Sequence, residues 1–234
     1  MEKITTGVEG LDEMLHGGLL ADRTYLVTGG PGAGKTILCM QFLMEGVRLN
    51  DKCLYVALEE QATELKDDMM SFGWDINRIK ILDTMQDMAS GIWALKTTGV
   101  ISKPEFNLKS LIETLRNLLV QYKPKRIVID SLTSIKMLYD SKTEARRELL
   151  GFVNFLESTG CTSLLTSELE GPDTLMEEFL TSGVVKVHMI ESDGEKIGAI
   201  SIQKMRGSSF DKHIRPMKIT DKGIVVFPNE SVFG

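Results

Sequence analysis

The chain has 234 residues, 42% of them apolar, 26% charged and 6% aromatic, with 27 basic against 33 acidic side chains for a net charge of −6. This composition excludes disordered, collagenous and coiled-coil classes, and the acidic balance excludes a uniformly basic protein that coats nucleic acid. Length predicts one large α/β domain over residues 1–234 with a core that needs no staple.

Three cysteines, Cys39, Cys53 and Cys161, are too few and too scattered for a disulfide framework or a Cys-x-x-Cys zinc site, so they read as reduced core thiols. The N-terminus lacks a basic start followed by an apolar run, and no stretch of about eighteen apolar residues occurs. A cytoplasmic location and no membrane partner are therefore expected.

In chain order, Tyr25–Thr28 predicts a strand, Gly29–Gly34 a loop, and the apolar stripe Ile37, Met40, Phe42, Met44 and Val47 a helix, followed by a strand over Cys53–Leu58. A helix is expected from Ala62 to about Phe72, then a short strand at Ile79–Leu82. Residues 84 to 106 lack periodicity and exceed the usual connection, which predicts a loop insertion. Leu111, Ile112, Leu115, Leu118 and Leu119 predict a helix over Leu108–Tyr122, and Arg126–Ile129 a buried strand. Thr143 is expected to cap a helix that buries Leu149, Leu150, Val153 and Leu156 and ends at Gly160, before a strand at Ser163–Thr166. The segments Val184–Ile190, Ala199–Gln203, Met217–Thr220 and Ile224–Phe227 predict added antiparallel strands. The alternation implies a mostly parallel sheet flanked by helices, with a C-terminal antiparallel extension.

Gly29-Gly30-Pro31-Gly32-Ala33-Gly34-Lys35-Thr36 fits the phosphate-binding pattern G-x-x-x-x-G-K-[ST], after an apolar strand and at a helix start. Glycines let backbone N–H groups converge on phosphate oxygens, and the helix N-terminus adds partial positive charge. Lys35 is expected to reach the β/γ phosphates and the Thr36 hydroxyl to ligate Mg²⁺, which makes ATP and Mg²⁺ the expected ligands. A phosphate-free glycine turn would not require Lys-Thr after its last glycine.

The magnesium shell needs an acid at the end of a neighbouring strand, and Asp130 after Ile127-Val128-Ile129 supplies one. Glu59 and Glu60 follow the strand after the loop helix. One can activate the attacking water; spacing does not decide which, and Glu60 is preferred. Lys204 and Arg206 stand two positions apart on a strand, so both emerge on one face, as a charged edge or as a phosphate-seeking pair. Lys212, His213, Arg215 and Lys218 thicken the basic character nearby.

Thr6-Gly-Val-Glu-Gly-Leu-Asp12, the glycine loop, Leu58-Glu-Glu60, Ile127-Val-Ile-Asp-Ser131, Leu165-Thr-Ser-Glu168 and Lys204-Met-Arg-Gly-Ser208 together resemble one RecA-fold domain of the clock ATPase family of KaiC. The resemblance covers nearly the whole chain and is closest to single-domain members. It implies an ATPase working as a homo-oligomer, a hexameric ring with ATP at subunit interfaces. It further implies Lys204 and Arg206 as a pair acting on the neighbour's γ-phosphate, and Thr166 and Ser167 as sensor residues. Glu178 and Phe179 fall where the clock kinase domain carries its adjacent hydroxyl acceptors, so autokinase activity there is not expected; Thr181 and Ser182 are the nearest hydroxyls.

Two other readings share this core. One is a recombination-type DNA-binding paralogue, for which residues 84–106 and 169–183 offer only Lys96 and Lys103 as cations, so nucleic-acid binding is expected to be weak. The other is a nucleotide-sensing scaffold with negligible turnover. The favoured function is an ATPase that signals through, or remodels, an unidentified protein partner.

Overall fold

The computed structural model describes residues 1–84, 107–168, 176–192 and 194–232. The insertion expected over residues 84–106 lies, beyond Thr84, outside the described residues.

The chain opens with β1 (Lys3–Ile4), α1 (Glu9–Met14) and β2 (Leu19–Leu20), where β1 and β2 pair as a small antiparallel ribbon. The core unit follows as β3 (Thr24–Gly29), α2 (Lys35–Arg48), β4 (Cys53–Ala57), α3 (Ala62–Met70) and β5 (Lys80–Asp83). Then come α4 (Leu108–Tyr122), β6 (Arg126–Asp130), α5 (Leu132–Lys136), α6 (Lys142–Glu157), β7 (Thr162–Glu168) and α7 (Met176–Leu180). The last third is β8 (Gly183–Ser192), β9 (Glu195–Met205), β10 (Arg215–Thr220) and β11 (Gly223–Val226).

A nine-stranded sheet in the order β11-β10-β9-β8-β3-β7-β6-β4-β5 organises these elements. Every pairing from β8 through β3 to β5 is parallel, and those from β8 to β11 are antiparallel. The first strand expected to be antiparallel, β8, instead pairs in parallel with β3 and reverses direction only on its far side. Turn residues between short strands reveal hairpins but not which core strand the first one joins.

The central strands are buried along nearly their whole length, because helices cover both faces of a parallel sheet. One core cluster joins Leu11, Phe42, Tyr55 and Ile200 on the α2 face, and the other joins Leu54, Ile129, Leu149 and Phe152 on the α6 face. The three cysteines are buried and free. Helix α6 is capped by Ser141, whose hydroxyl accepts from the Glu144 N–H, rather than by Thr143, and it ends at Glu157. Its buried stripe is Ala145, Leu149, Phe152, Val153 and Leu156, while Leu150 is 44% exposed. Leu150 lies one position past Leu149, about 100° further round the helix, and that rotation carries it off the buried face.

Candidate nucleotide site

Because parallel strands end at one edge of the sheet, the loops after β3, β4, β6 and β7 converge there. They enclose a cleft of about 280 Å³ lined by Pro31, Gly32, Gly34, Lys35, Thr36, Glu59, Asp130, Ser131 and Glu168 among others. Within the loop, Gly32 and Gly34 have φ of +71° and +100°, which L side chains rarely adopt. A Cβ on Gly30 or Gly32 would meet nothing within 4 Å, so bare backbone faces open space. Gly34 is the N-cap of α2, and with no side-chain cap the helix's first N–H groups remain available to an anion.

Lys35 folds back over the loop. Its Nζ donates to the Gly29 and Gly30 carbonyls at 3.1 and 3.0 Å and lies 3.7 Å from Glu168 Oε1. Asp130 gathers three hydroxyls: Thr36 donates to Oδ2 at 2.9 Å, Tyr55 to the same oxygen at 2.6 Å, and Thr166 to Oδ1 at 2.5 Å. A hydroxyl and a carboxylate in direct contact at a phosphate cradle form the hard oxygen pair that suits Mg²⁺.

Glu59, not Glu60, lines the cleft. Its Oε1 accepts from Ser131 at 2.5 Å and Ser134 at 2.7 Å. Strand β4 ends at Ala57 and the chain then bends, so the alternation of strand side chains does not extend to residues 59 and 60. Burial raises the Glu60 carboxyl above its usual range, with the neighbouring charges of Asp68, Asp130 and Glu64 adding to the effect.

Thr166 and Ser167 are separated by strand alternation. Thr166 sits on Asp130, whereas Ser167 donates to buried Glu177 at 2.9 Å, on the opposite face of β7. Thr181 and Ser182 are buried, and their hydroxyls donate to the Glu177 carbonyl and to Glu157.

The structure does not bring Lys204 and Arg206 to this cleft. Lys204 pairs with Val184, which flanks Leu26 of β3, while the glycine loop begins beyond Gly29, three residues further along that strand. Arg206 lies further out, its N–H on the Ser182 carbonyl. Lys204 Nζ donates to the Glu178 and Thr181 carbonyls at 2.6 and 2.5 Å, and Arg206 donates to the Phe179 carbonyl at 3.1 Å. Both cations therefore cap the C-terminal end of α7, where unpaired carbonyls carry partial negative charge. Burial, followed by repulsion from Arg206, lowers the Lys204 pKa.

The basic cluster nearby is partly neutralised from within. Asp211 accepts from His213 and Arg215 at 2.6 Å each, and these bonds outweigh its burial and hold its carboxyl at about 2. Among the described residues, no helix is long and apolar enough to cross a membrane.

Tyr55 and Glu168 stand at the cleft although the motifs assign neither a role, Glu168 only closing the Leu165-Thr-Ser-Glu168 segment. Tyr55 is the one polar tip in an otherwise apolar strand beside Asp130. Glu168 ends a parallel strand at the edge where ligands of open α/β sheets bind, and that position was its available signal.

Comparison with known proteins agrees with this geometry. The family model "ATPase: KaiC" matches residues 4–231. A UPF0273 protein of Pyrococcus furiosus is 33% identical over 250 residues, covering 98% of this chain and 96% of that one. The circadian clock oscillator protein KaiC of Acaryochloris marina is 35% identical over 238 residues, covering 97% of this chain but 44% of its own length. The crystal structure of a KaiC-like protein from Pyrococcus horikoshii superposes with a TM-score of 0.83 at 31% identity, covering 97% of this chain and 99% of that one. With the glycine loop, its lysine and the acid-hydroxyl cluster all in place on a RecA-like sheet, the chain belongs to the KaiC family of P-loop ATPases.

Proposed function

We propose that the chain folds as a single KaiC-like domain over residues 1–234 and hydrolyses ATP between the subunits of a homo-hexameric ring. The observation that carries this reading is the separation of the Lys35 cleft from the Lys204/Arg206 pair, which is level with Leu26 and the start of β3 and not with the strand end that carries the glycine loop. From Leu26 to Gly29 the strand advances ~10 Å, too far for either cation to serve its own chain's glycine loop.

Backbone N–H groups of Gly30–Gly34 and the start of α2 bind the phosphate oxygens, and Lys35 leaves its loop carbonyls to meet the β/γ oxygens. Thr36 and Asp130 hold Mg²⁺, which when bound neutralises charge on the phosphates. Glu59, on the cleft wall, accepts the proton of the attacking water, with Ser131 and Ser134 fixing its carboxylate; Glu60 supports it electrostatically. Thr166 keeps Asp130 oriented, and Ser167 reports on the same strand from its other face. Lys204 and Arg206 of the neighbouring subunit stabilise the developing charge, so turnover depends on assembly. The ring signals to a protein partner in the cytoplasm, and with Asp211 offsetting the basic cluster, nucleic-acid binding is weak.

Subunit mixing tests this reading. Glu59→Gln/Glu60→Gln and Arg206→Ala variants are each expected to be inactive, and a mixture under verified exchange to recover turnover at interfaces that combine intact glutamates with an intact Arg206. A flat mixing curve would remove the trans-acting role and leave the cleft assignment intact.

A further inference from the structure

Glu177 is 1% exposed, in the first turn of a five-residue helix. Its Oε1 accepts from Ser167 Oγ at 2.9 Å and faces Lys136 Nζ at 2.9 Å, while Oε2 is buried with no hydrogen-bond partner among the described residues. An ion pair in this setting is weak support for stability, because desolvating both charges offsets their attraction and an apolar side chain would pack as well. Its position is more informative. Ser167 lies between Thr166, which touches Asp130, and Glu168, which faces Lys35. Within the next four residues, the Glu178, Phe179 and Thr181 carbonyls at the end of α7 hold Lys204 and Arg206.

We propose that Glu177 is a positioning residue that fixes α7 against β7 and α5 and thereby sets where Lys204 and Arg206 are presented to the next subunit. The inference rests on the trans-acting role proposed above and extends it: the strand that lines one nucleotide cleft is tied through a single buried carboxylate to the cations that complete the neighbouring cleft. Occupancy around Glu168 and Lys35 thus reaches the adjacent site through Ser167, Glu177 and the α7 carbonyls. The arrangement is directional, since the cleft on the same chain keeps its own loop, Thr36 and Asp130 whether or not α7 is anchored.

The test is Glu177→Ala in the assembled protein, with kcat and KM for ATP measured separately. Misplacing the donated pair is expected to lower kcat about ten- to a hundred-fold and leave KM unchanged. Mixed under exchange with Glu59→Gln/Glu60→Gln, it is expected to recover turnover, because its own clefts then receive an intact Lys204/Arg206 pair. Wild-type kcat in Glu177→Ala overturns the proposal. So does a defect that fails to recover while Arg206→Ala recovers in the same mixture, since Glu177 would then act on its own cleft. Failure of Arg206→Ala to recover identifies a fault in the trans-acting reading instead, and both fall. If Glu177→Ala does not assemble, Glu177→Gln, which keeps an acceptor for Ser167 and loses the charge facing Lys136, is read by the same criteria.

Discussion

The Tyr55 hydroxyl donates to Asp130 Oδ2 at 2.6 Å, so a phenol from one parallel strand holds the acid at the end of the next. Burial pushes the Tyr55 phenol well above its ordinary range, and the adjacent Asp130 charge pushes the same way. Tyr55 therefore stays a proton donor wherever the protein is folded. Tyr55→Phe removes one bond to a charged group and is expected to cost about 1.5–3 kcal/mol in urea unfolding. ATP binding is expected to survive, because Lys35 and the glycine loop are untouched.

Lys35→Ala should behave in the opposite way. It deletes the one side-chain cation among those lining the cleft and leaves the core intact, so titration calorimetry is expected to detect no ATP binding while the thermal midpoint of the free protein changes little. Undiminished affinity would withdraw the phosphate assignment.

Glu59→Gln is expected to retain ATP and lower kcat by about two orders of magnitude, the scale of a positioned base. A smaller fall is expected for Glu60→Gln, which acts on the cleft only through its charge. If single-turnover hydrolysis stops in Glu60→Gln alone, the two roles are exchanged.

Gly46→Ala separates packing from helix propensity. Alanine is favoured over glycine in a helix interior, yet a Cβ at position 46 of α2 would lie 2.5 Å from both Arg126 Cδ and Cys53 Sγ. Arg126 cannot yield, because its Nε is bound to Asp51 at 3.0 Å and its Nη1 to the Thr5 and Phe42 carbonyls at 2.7 and 3.0 Å. The substitution is expected to destabilise by roughly 1–3 kcal/mol in denaturant unfolding.

His188 gives a pH test. Burial, with Lys186 next, lowers its pKa below the ordinary value, and its Nε2 meets the Ser201 hydroxyl at 2.8 Å. As pH falls below about 6.5, the unfolded chain takes up this proton first, so stability declines with acidity. Unfolding of His188→Gln between about pH 7.5 and pH 5.5 should show a shallower decline than the wild type.

Local chemistry made much of this legible in the sequence. Leu108–Tyr122 is a helix with the bounds its leucine spacing predicts, and the glycine loop, Lys35, Thr36 and Asp130 meet because a strand-loop-helix pattern determines where a parallel strand ends. What escaped depended on the third dimension. The choice between Glu59 and Glu60 turns on where β4 stops, and the parallel pairing of β8 depends on a neighbour distant in sequence. Ser141 and Thr143 are both cap-forming residues, and the backbone places the Ser141 side chain at the Glu144 N–H. The short helix α1 carries too few residues for periodicity to register.

The proposed donation of Lys204 and Arg206 to a neighbouring cleft has a consequence for symmetry. In the proposed ring the contact is head-to-tail, with the Lys204/Arg206 surface of one chain meeting the cleft surface of the next, unlike a two-fold contact, in which one patch meets its own copy. Head-to-tail contacts of this kind either close into a ring or continue as a filament. An open row always leaves one cleft without its cations, and closure completes that last one. In the proposed assembly the number of active clefts therefore equals the number of contacts formed, and only the closed ring leaves no subunit idle.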